Sequence, residues 1–364
     1  MTITAPFAHV GGLLARDLVE VADLRVDPSV LDHGWWAVVG TFEGALTGYR
    51  FGRVTPAGLP APTGSWPGRD LSWRSSLDRD AYLDGVRRIR EHIAAGDVYQ
   101  VNLCRMLSSP LGPAADPLVL ARRLARGNPA PWAGLLHLGR SWIVSASPEL
   151  FLARDGDRLA SSPIKGTTRP GEPFADKDYP ENIMITDLVR NDLGRIARPG
   201  SVVVTELLAR QEHPGLAHLV STVTARPAQG VGWGEILAAT FPPGSVTGAP
   251  KIRALEVIAE LEPVPRQVYC GTFGFVDGDR GRARLAVAIR TFFAALAADG
   301  SGVLHFGTGA GITWSSDPQA EWAETELKAA RLIGLTRGAG HSSQDPARPT
   351  PAPDPAAGRS SAPR

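Results

Sequence analysis

Cysteine is scarce in this sequence, which has only Cys104 and Cys270 among its 364 residues. There is no CxxC pair and no Cys/His cluster at zinc spacing, so a disulfide framework and a structural zinc site are not expected. Long hydrophobic runs are missing as well. No stretch of about 18 apolar residues occurs, and the N-terminus lacks the basic and apolar regions of a signal peptide. We therefore expect no membrane association and a cytoplasmic location.

An excess of positive charge is also absent. The chain carries 38 basic and 37 acidic side chains, a formal net charge of +1. A nucleic-acid-binding surface usually shows a strong basic excess, so nucleic acid is not an expected partner. With 43% hydrophobic and 21% charged residues, the composition is that of an ordinary globular protein with a large core.

Composition divides the chain into three regions. A stretch rich in proline and glycine, Pro56 to Arg69, is typical of a long loop. It separates a short N-terminal segment (1–71), expected to pack on the rest, from the main domain (72–335). The tail (336–364) has no Ile, Leu, Val, Met or aromatic residue and is predicted to be disordered, because it has no apolar surface to bury.

Helix signals occur at four places in the main domain. Apolar residues at helical spacing predict an amphipathic helix from Asp78 to Ala95, ended by Gly96. Three more helices are predicted to begin near a proline, which the first helical turn tolerates. Their predicted ranges are Pro180 to Ile196, Pro250 to Leu261 and Pro318 to Ile333.

Strand signals lie between these helices. Alternation predicts a strand from Val98 to Leu107, with Tyr99 on its apolar face and Gln100 on a polar face that lines a cavity. Two hairpins are predicted, Trp132 to Val144 and Leu150 to Ala160. Consecutive hairpins with separate helices predict an α+β fold of mostly antiparallel sheets.

Acidic side chains recur at helical spacing on two of the predicted helices. Asp178 and Glu181 are three residues apart on one helix, and Glu321 and Glu324 on another, where Lys328 shares their face. If the two pairs converge, their oxygens suit a hard cation such as Mg²⁺. The alternative is an ordinary solvated helix surface, which is what most such pairs form.

Glu149 and Lys165 lie on either side of the second predicted hairpin, whose turn can bring them close together. A carboxyl group and an amine can divide the roles of acid and nucleophile, provided that the amine is uncharged when it attacks. The alternative for Lys165 is an exposed turn lysine.

Two glycine-rich segments do not match nucleotide motifs. The segment Gly307 to Gly311 continues as a strand where a dinucleotide fingerprint requires a helix, although its backbone N–H groups suit a carboxylate. The segment Gly244 to Lys251 lacks the Gly-Lys-Ser/Thr ending of a phosphate loop. Nucleotide hydrolysis is therefore not expected.

Taken together, the motifs resemble those of a known family. They appear in family order as GDVYQVNL (96–103), SPELF (147–151), PIKGT (163–167), DLVRNDL (187–193), HLVS (218–221), SVTGAPK (245–251), YCG (269–271), AIRT (288–291) and GAGI (309–312). The sequence is similar to the chorismate-utilising enzymes, and most closely to the aminodeoxychorismate synthase component I group. The resemblance covers roughly residues 72 to 335 and implies the chorismate-binding α+β fold, a sandwich of antiparallel sheets with helices outside.

The resemblance also implies a set of site residues. Glu181 and Glu324 would bind Mg²⁺ directly, Asp178 and Glu321 would hold its waters, and the metal would bind the ring carboxylate of chorismate. The implied substrate-binding residues are Thr167, His218, Tyr269, Arg290, Gly309, Ala310, Gly311 and Lys328.

The implied reaction depends on two side chains. Lys165 would add to ring carbon 2 as Glu149 protonates the departing 4-hydroxyl, after which ammonia would add at carbon 4 and expel the lysine. Anthranilate synthases resemble these enzymes but carry alanine at the position of Lys165. Isochorismate and salicylate synthases carry a water-activating lysine at the position of Gln100, so water addition is disfavoured here.

The expected product is 4-amino-4-deoxychorismate, for 4-aminobenzoate and folate synthesis. Neither cysteine has the context of a glutaminase nucleophile, so a separate glutamine amidotransferase subunit (component II) is the implied source of ammonia. Two alternatives stay open: an anthranilate synthase component I, and a non-catalytic chorismate-binding regulatory subunit.

Overall fold

The computed structural model describes residues 5–67, 71–213 and 216–337. These ranges contain six α-helices, two short 3₁₀ helices and eighteen strands. The α-helices are α1 (Arg79–Ala94), α2 (Pro117–Gly127), α3 (Asp178–Gly194), α4 (Trp233–Thr240), α5 (Lys251–Leu261) and α6 (Pro318–Thr336). The strands are β1 (Phe7–Val10), β2 (Leu13–Asp23), β3 (Trp35–Gly40), β4 (Leu46–Pro56), β5 (Arg74–Ser75), β6 (Gln100–Leu111), β7 (Trp132–His137), β8 (Ser141–Ser147), β9 (Leu150–Asp155), β10 (Arg158–Ser162), β11 (Ile164–Thr168), β12 (Val203–His213), β13 (Leu216–Ala225), β14 (Gly248–Ala249), β15 (Thr272–Asp277), β16 (Arg282–Val287), β17 (Thr291–Leu296) and β18 (Gly302–Ile312).

The named strands form one continuous antiparallel ladder. Across the ladder the order is β5, β6, β18, β17, β8, β7, β1, β2, β4, β3, β15, β16, β9, β10 and β13. Both β11 and β12 also pair with β13, and β14 pairs with β6. The N-terminal strands therefore join the rest of the chain at two places, β1 to β7 and β3 to β15.

The ladder curls so that its two halves enclose the main hydrophobic core. Val101 of β6 and Ile312 of β18 share this core with Val38 of β3, Phe273 of β15 and Leu285 of β16. Alternate side chains point to opposite faces of a strand, so the same sheet has a second apolar face.

The second apolar face of the sheet packs against helices. Trp142 of β8 and Phe292 of β17 lie in a separate core with Leu124 of α2 and Leu332 of α6. Helices α2 and α6 therefore cover the outer face of this part of the sheet, whereas α1, α3, α4 and α5 contribute side chains to the main core. The predicted α+β fold with mostly antiparallel sheets is confirmed.

Local sequence signals located several elements correctly. Asp78 caps α1 by accepting a hydrogen bond from the Ala81 N–H, and both predicted hairpins form, as β7–β8 and β9–β10. Helix α3 begins two residues earlier than Pro180. None of the helices in the described part of the chain is long and apolar enough to cross a lipid bilayer.

Two predictions need correction. Tyr99 precedes β6 and is 71% exposed instead of lying on an apolar face, because the chain pairs there with Ala249 through its backbone only. Thr336, predicted to begin the disordered tail, ends α6 and is fully buried, its carbonyl accepting hydrogen bonds from the side chains of Trp66 and Arg123. Residues 338–364 of that tail lie outside the described residues.

Candidate active site

Three glycines leave one face of β18 without side chains. Gly307, Gly309 and Gly311 lie on the same face of the strand, because side-chain direction alternates. A Cβ atom on Gly311 would overlap the Gln100 Nε2 atom and would lie 3.3 Å from the Lys165 Nζ atom. Lys165 and Gln100 therefore meet over the bare backbone of Gly311.

Gln100 is completely buried at this point, with 0% of its surface exposed. Neither its Nε2 nor its Oε1 atom has a hydrogen-bond partner among the described residues. Buried amides are normally hydrogen-bonded, and an unpaired one costs roughly 1–3 kcal/mol. A ligand over Gly311 is well placed to supply the missing partner.

Glu149 lies in the two-residue link between β8 and β9, where its backbone N–H donates to the Ser147 hydroxyl at 3.2 Å. The residue is 4% exposed. Burial raises the pKa of Glu149 to about 7, although a hydrogen bond from Ser245 and the positive charge of Lys165 act in the opposite direction. Near neutral pH this carboxyl group can both hold and release a proton, as a general acid requires.

Thr167 and His218 face each other across the pairing of β11 with β13. The Thr167 Oγ1 atom lies 3.0 Å from the His218 Nδ1 atom, and His218 is buried. His218 also lines a small cavity with Pro148, Arg290 and Arg331. The structure therefore brings three of the predicted substrate-binding residues to one place.

Arg290 is a half-buried cation whose guanidinium group has no hydrogen-bond or ion-pair partner among the described residues. Its backbone adopts a left-handed φ of +51°. Burial lowers the pKa of Arg290, and the positive charge of Arg331 lowers it further. Two guanidinium groups around one cavity favour an anionic ligand. Arg331 was not predicted, although it lies three residues after Lys328 on the same helix.

The four predicted metal-binding carboxylates come from α3 and α6, which bring them within electrostatic reach of one another. Burial raises the pKa of Asp178, of Glu181 and of Glu321. The neighbouring negative charges of Asp178 and Glu321 add to this effect at Glu181. Burial acts in the same direction at Glu324, but the ammonium groups of Lys328 and Lys177 outweigh it and hold the pKa of Glu324 at about 2.

Two lysines neutralise part of this cluster. The Lys328 Nζ atom lies 2.7 Å from Glu324 Oε1 and donates to the Gly309 carbonyl oxygen at 3.1 Å. The Lys177 Nζ atom lies 3.5 Å from Glu324 Oε2 and 3.7 Å from Glu321 Oε1. Lys177 was not predicted. Its position just before an acidic helix start is the signal in the sequence, because a cation is unfavourable at a helix N-terminus.

The carboxylates suit a hard divalent cation by their chemistry, since Mg²⁺ prefers carboxylate and water oxygens. In the part of the chain that the structure describes, however, no three His, Cys, Asp or Glu side chains converge closely enough to hold a metal ion. Lysine ammonium groups contact Glu321 and Glu324 instead. The Mg²⁺ site therefore stays a prediction.

The remaining predicted residues flank this site. From Gly307 onwards β18 pairs with β6 alone, since its pairing with β17 ends at Phe306, so one edge of the segment Gly309 to Gly311 has no strand partner in the described ranges. Tyr269 lies deeper, buried in the main core with its ring against Gly307. Lys165 lies between Glu149 and the carboxylate cluster, because its positive charge offsets part of the increase that burial causes in the pKa of Glu149 and in the pKa of Glu181.

This arrangement can be compared with known proteins. Residues 59–334 match the family described as chorismate binding enzyme. The chain belongs to this family. The resemblance found in the sequence is thereby confirmed.

Two different names occur among its curated relatives. Anthranilate synthase component 1 of Thermus thermophilus is 40% identical over 287 residues, covering 76% of this chain and 60% of the relative. Aminodeoxychorismate synthase component 1 of Salmonella typhimurium is 39% identical over 274 residues, covering 72% of this chain and 59% of the relative. This chain thus spans about three fifths of the length of these relatives.

Solved structures show the same fold. The putative 2,3-dihydroxybenzoate-specific isochorismate synthase DhbC of Bacillus anthracis superposes with a TM-score of 0.75 at 21% identity, covering 92% of this chain and 96% of that one. Anthranilate synthase component I of Streptococcus pneumoniae gives a TM-score of 0.75 at 23% identity, covering 92% and 93%.

Proposed function

We propose that this chain is an aminodeoxychorismate synthase component I, which converts chorismate and ammonia to 4-amino-4-deoxychorismate. The observation that supports this proposal is the position of Lys165. Its Nζ atom lies over Gly311 beside Gln100, and its charge influences Glu149. In the resembling family a lysine here distinguishes aminodeoxychorismate synthases from anthranilate synthases.

In the proposed reaction Lys165 and Glu149 act in sequence. The uncharged amine of Lys165 forms a bond to ring carbon 2, the ring double bond shifts, and the 4-hydroxyl leaves as water after taking the proton of Glu149. Ammonia then bonds to carbon 4, the double bond shifts back, and the uncharged amine of Lys165 leaves carbon 2. The new nitrogen at carbon 4 gives a proton back to Glu149. Chorismate and ammonia thus give aminodeoxychorismate and water.

Other residues of the site hold the substrate. The guanidinium group of Arg290 is proposed to bind a carboxylate, because it is a half-buried cation that pairs with no other side chain in the described ranges and shares a cavity with Arg331. Thr167 and His218 are proposed to line the ring. When bound, Mg²⁺ would neutralise the ring carboxylate, and Asp178, Glu181, Glu321 and Glu324 are the residues that would hold it. The ammonia is proposed to come from a glutamine amidotransferase subunit.

The test is mass-spectrometric product analysis of purified protein with chorismate, Mg²⁺ and ammonium, together with an ammonium-free control. Ammonium-dependent aminodeoxychorismate is the expected product. Anthranilate would show that Lys165 does not decide the product and would favour anthranilate synthase, the name of several relatives. Isochorismate or salicylate in the control would contradict the argument from Gln100.

Two variants, and glutamine in place of ammonium, test separate parts of the proposal. Lys165→Ala removes the proposed nucleophile and should abolish aminodeoxychorismate formation, whereas exchanging the exposed Arg190 of α3 for methionine should leave it unchanged. Absence of any product from wild-type protein with bound chorismate would favour a regulatory subunit. If the purified chain uses glutamine as well as ammonium, the proposal that a separate amidotransferase subunit supplies the ammonia is wrong.

A further inference from the structure

The acidic cluster of α3 and α6 already contains a cation of the protein's own. The Lys177 ammonium group lies within salt-bridge distance of both Glu321 and Glu324, at 3.7 and 3.5 Å. Lys177 immediately precedes α3, and the two glutamates belong to α6. Its charge therefore bridges the two helices that carry the predicted metal ligands.

The placement of Lys177 is unfavourable for its own helix. It is the N-cap residue of α3 and makes no side-chain capping hydrogen bond. The N-terminus of a helix carries a partial positive charge, so a cation there is repelled, whereas Ser, Thr, Asp and Asn are preferred. What stabilises the ammonium group in this position is the negative charge of α6.

The composition of the chain supports a specific role for this ammonium group. Only four of the 38 basic residues are lysines, at positions 165, 177, 251 and 328. Lys165 and Lys328 lie in the site, and Lys251 pairs at 2.6 Å with Asp192, which lines a cavity with Glu149. A lysine provides a compact, mobile point charge, which the planar and bulkier arginine does not.

The ammonium groups of Lys328 and Lys177 differ in how closely they contact their oxygen partners. Lys328 makes two contacts of hydrogen-bond length, at 2.7 and 3.1 Å. Lys177 touches its carboxylates only at the longer distances given above, and its side chain is 46% exposed. An ammonium group held by charge at a solvent-facing position can leave for water at small cost.

We propose that Lys177 is a displaceable counter-cation of the carboxylate cluster, which occupies Glu321 and Glu324 until a divalent cation replaces it. This inference rests on the proposed function, because it takes the cluster to be the Mg²⁺ site of that enzyme. The role accounts for two observations together: among the described residues no three carboxylates are grouped closely enough to hold a metal ion, and Lys177 contacts two of the four. Lys177 thus lowers the affinity for the free metal and reduces repulsion within the metal-free cluster.

The test is isothermal titration calorimetry of MgCl₂ into the full chain without chorismate. Lys177→Met should bind Mg²⁺ about five- to twentyfold more tightly than wild type, because the competing charge is gone. Lys177→Arg should bind it more weakly, because a guanidinium group holds carboxylates in a bidentate manner. The matched control is Arg190→Met, which removes an exposed cation of α3 that forms a salt bridge with Asp187, and it should change the affinity less than twofold.

A second measurement covers the case in which Lys177→Met folds poorly. Thermal unfolding without metal should show a lower melting temperature for this variant than for wild type, and MgCl₂ should raise it by more. Equal or weaker Mg²⁺ binding by Lys177→Met, or no Mg²⁺ binding by any variant, would overturn the role of Lys177. Product analysis on the same preparations reports on the proposed function separately, since aminodeoxychorismate formation by wild-type protein supports that function whatever the calorimetry shows.

Discussion

Gly166 lies directly against Asp178, so the strand that carries Lys165 touches the helix that carries two predicted metal ligands. A Cβ atom on Gly166 would come within 2.9 Å of three side-chain atoms of Asp178, and Gly166 has a φ of +89°. Glycine is the residue that accepts such a backbone conformation and such a close approach. The spacing between Lys165 and the carboxylates thus depends on the absence of a side chain at Gly166.

We expect Gly166→Ala to lower the free energy of unfolding by about 1–3 kcal/mol and to reduce kcat more than tenfold, because the methyl group displaces Asp178 or β11. The control is Gly171→Ala, where φ is +80° but nothing lies within 4 Å of the added Cβ atom. It should cost only the backbone strain, about 1–2 kcal/mol, and leave kcat unchanged. Denaturant titration and initial rates measure both, and equal losses of kcat would contradict the argument.

The activity should fall as the pH rises above about 7. Burial raises the pKa of Glu149 to about 7, so the proton that this group donates is lost on the alkaline side. The hydrogen bond from Ser245 lowers that pKa, so Ser245→Ala should move the alkaline limb of the kcat profile to higher pH. A limb that stays in place or moves to lower pH in the variant would exclude Glu149 as its origin.

The same carboxyl group should make stability depend on pH. The folded pKa of about 7 exceeds the ordinary value of 4.5, so the folded state binds more protons between these values and loses stability as the pH rises through them. At pH 8, Glu149→Gln should therefore be more stable than wild type, by about 2–3 kcal/mol. The exposed Glu91 of α1 provides the control, since Glu91→Gln should show no such gain. Urea titrations at pH 5 and pH 8 measure the difference.

Local signals in the sequence were enough to predict individual helices and hairpins, but not all the contacts of the candidate active site. Asp78 capping α1 and the hairpin between Glu149 and Lys165 depend on neighbouring residues, so the sequence reveals them. The contact of Lys177 with Glu324 joins residues of two helices that are distant in the chain. The position of Lys177 before an acidic helix start marks it as unusual, but no local pattern identifies Glu324 as its partner. The prediction that Tyr99 lies on the apolar face of the strand is wrong, because the alternation of apolar and polar residues begins before β6 itself begins.

Replacing Gln100 by an apolar residue should stabilise the fold and at the same time reduce activity. Its buried amide has no partner among the described residues, so Gln100→Leu should raise the free energy of unfolding by about 1–2 kcal/mol. Asn102 on the same strand is also buried, but its Nδ2 atom donates to the Ser245 carbonyl oxygen at 3.2 Å. Asn102→Leu should therefore destabilise the protein, as the matched control. In the product assay Gln100→Leu should raise KM for chorismate or lower kcat at least tenfold, because the missing partner is proposed to come from the ligand. If Gln100→Leu were destabilising and fully active, the amide would have a structural role instead.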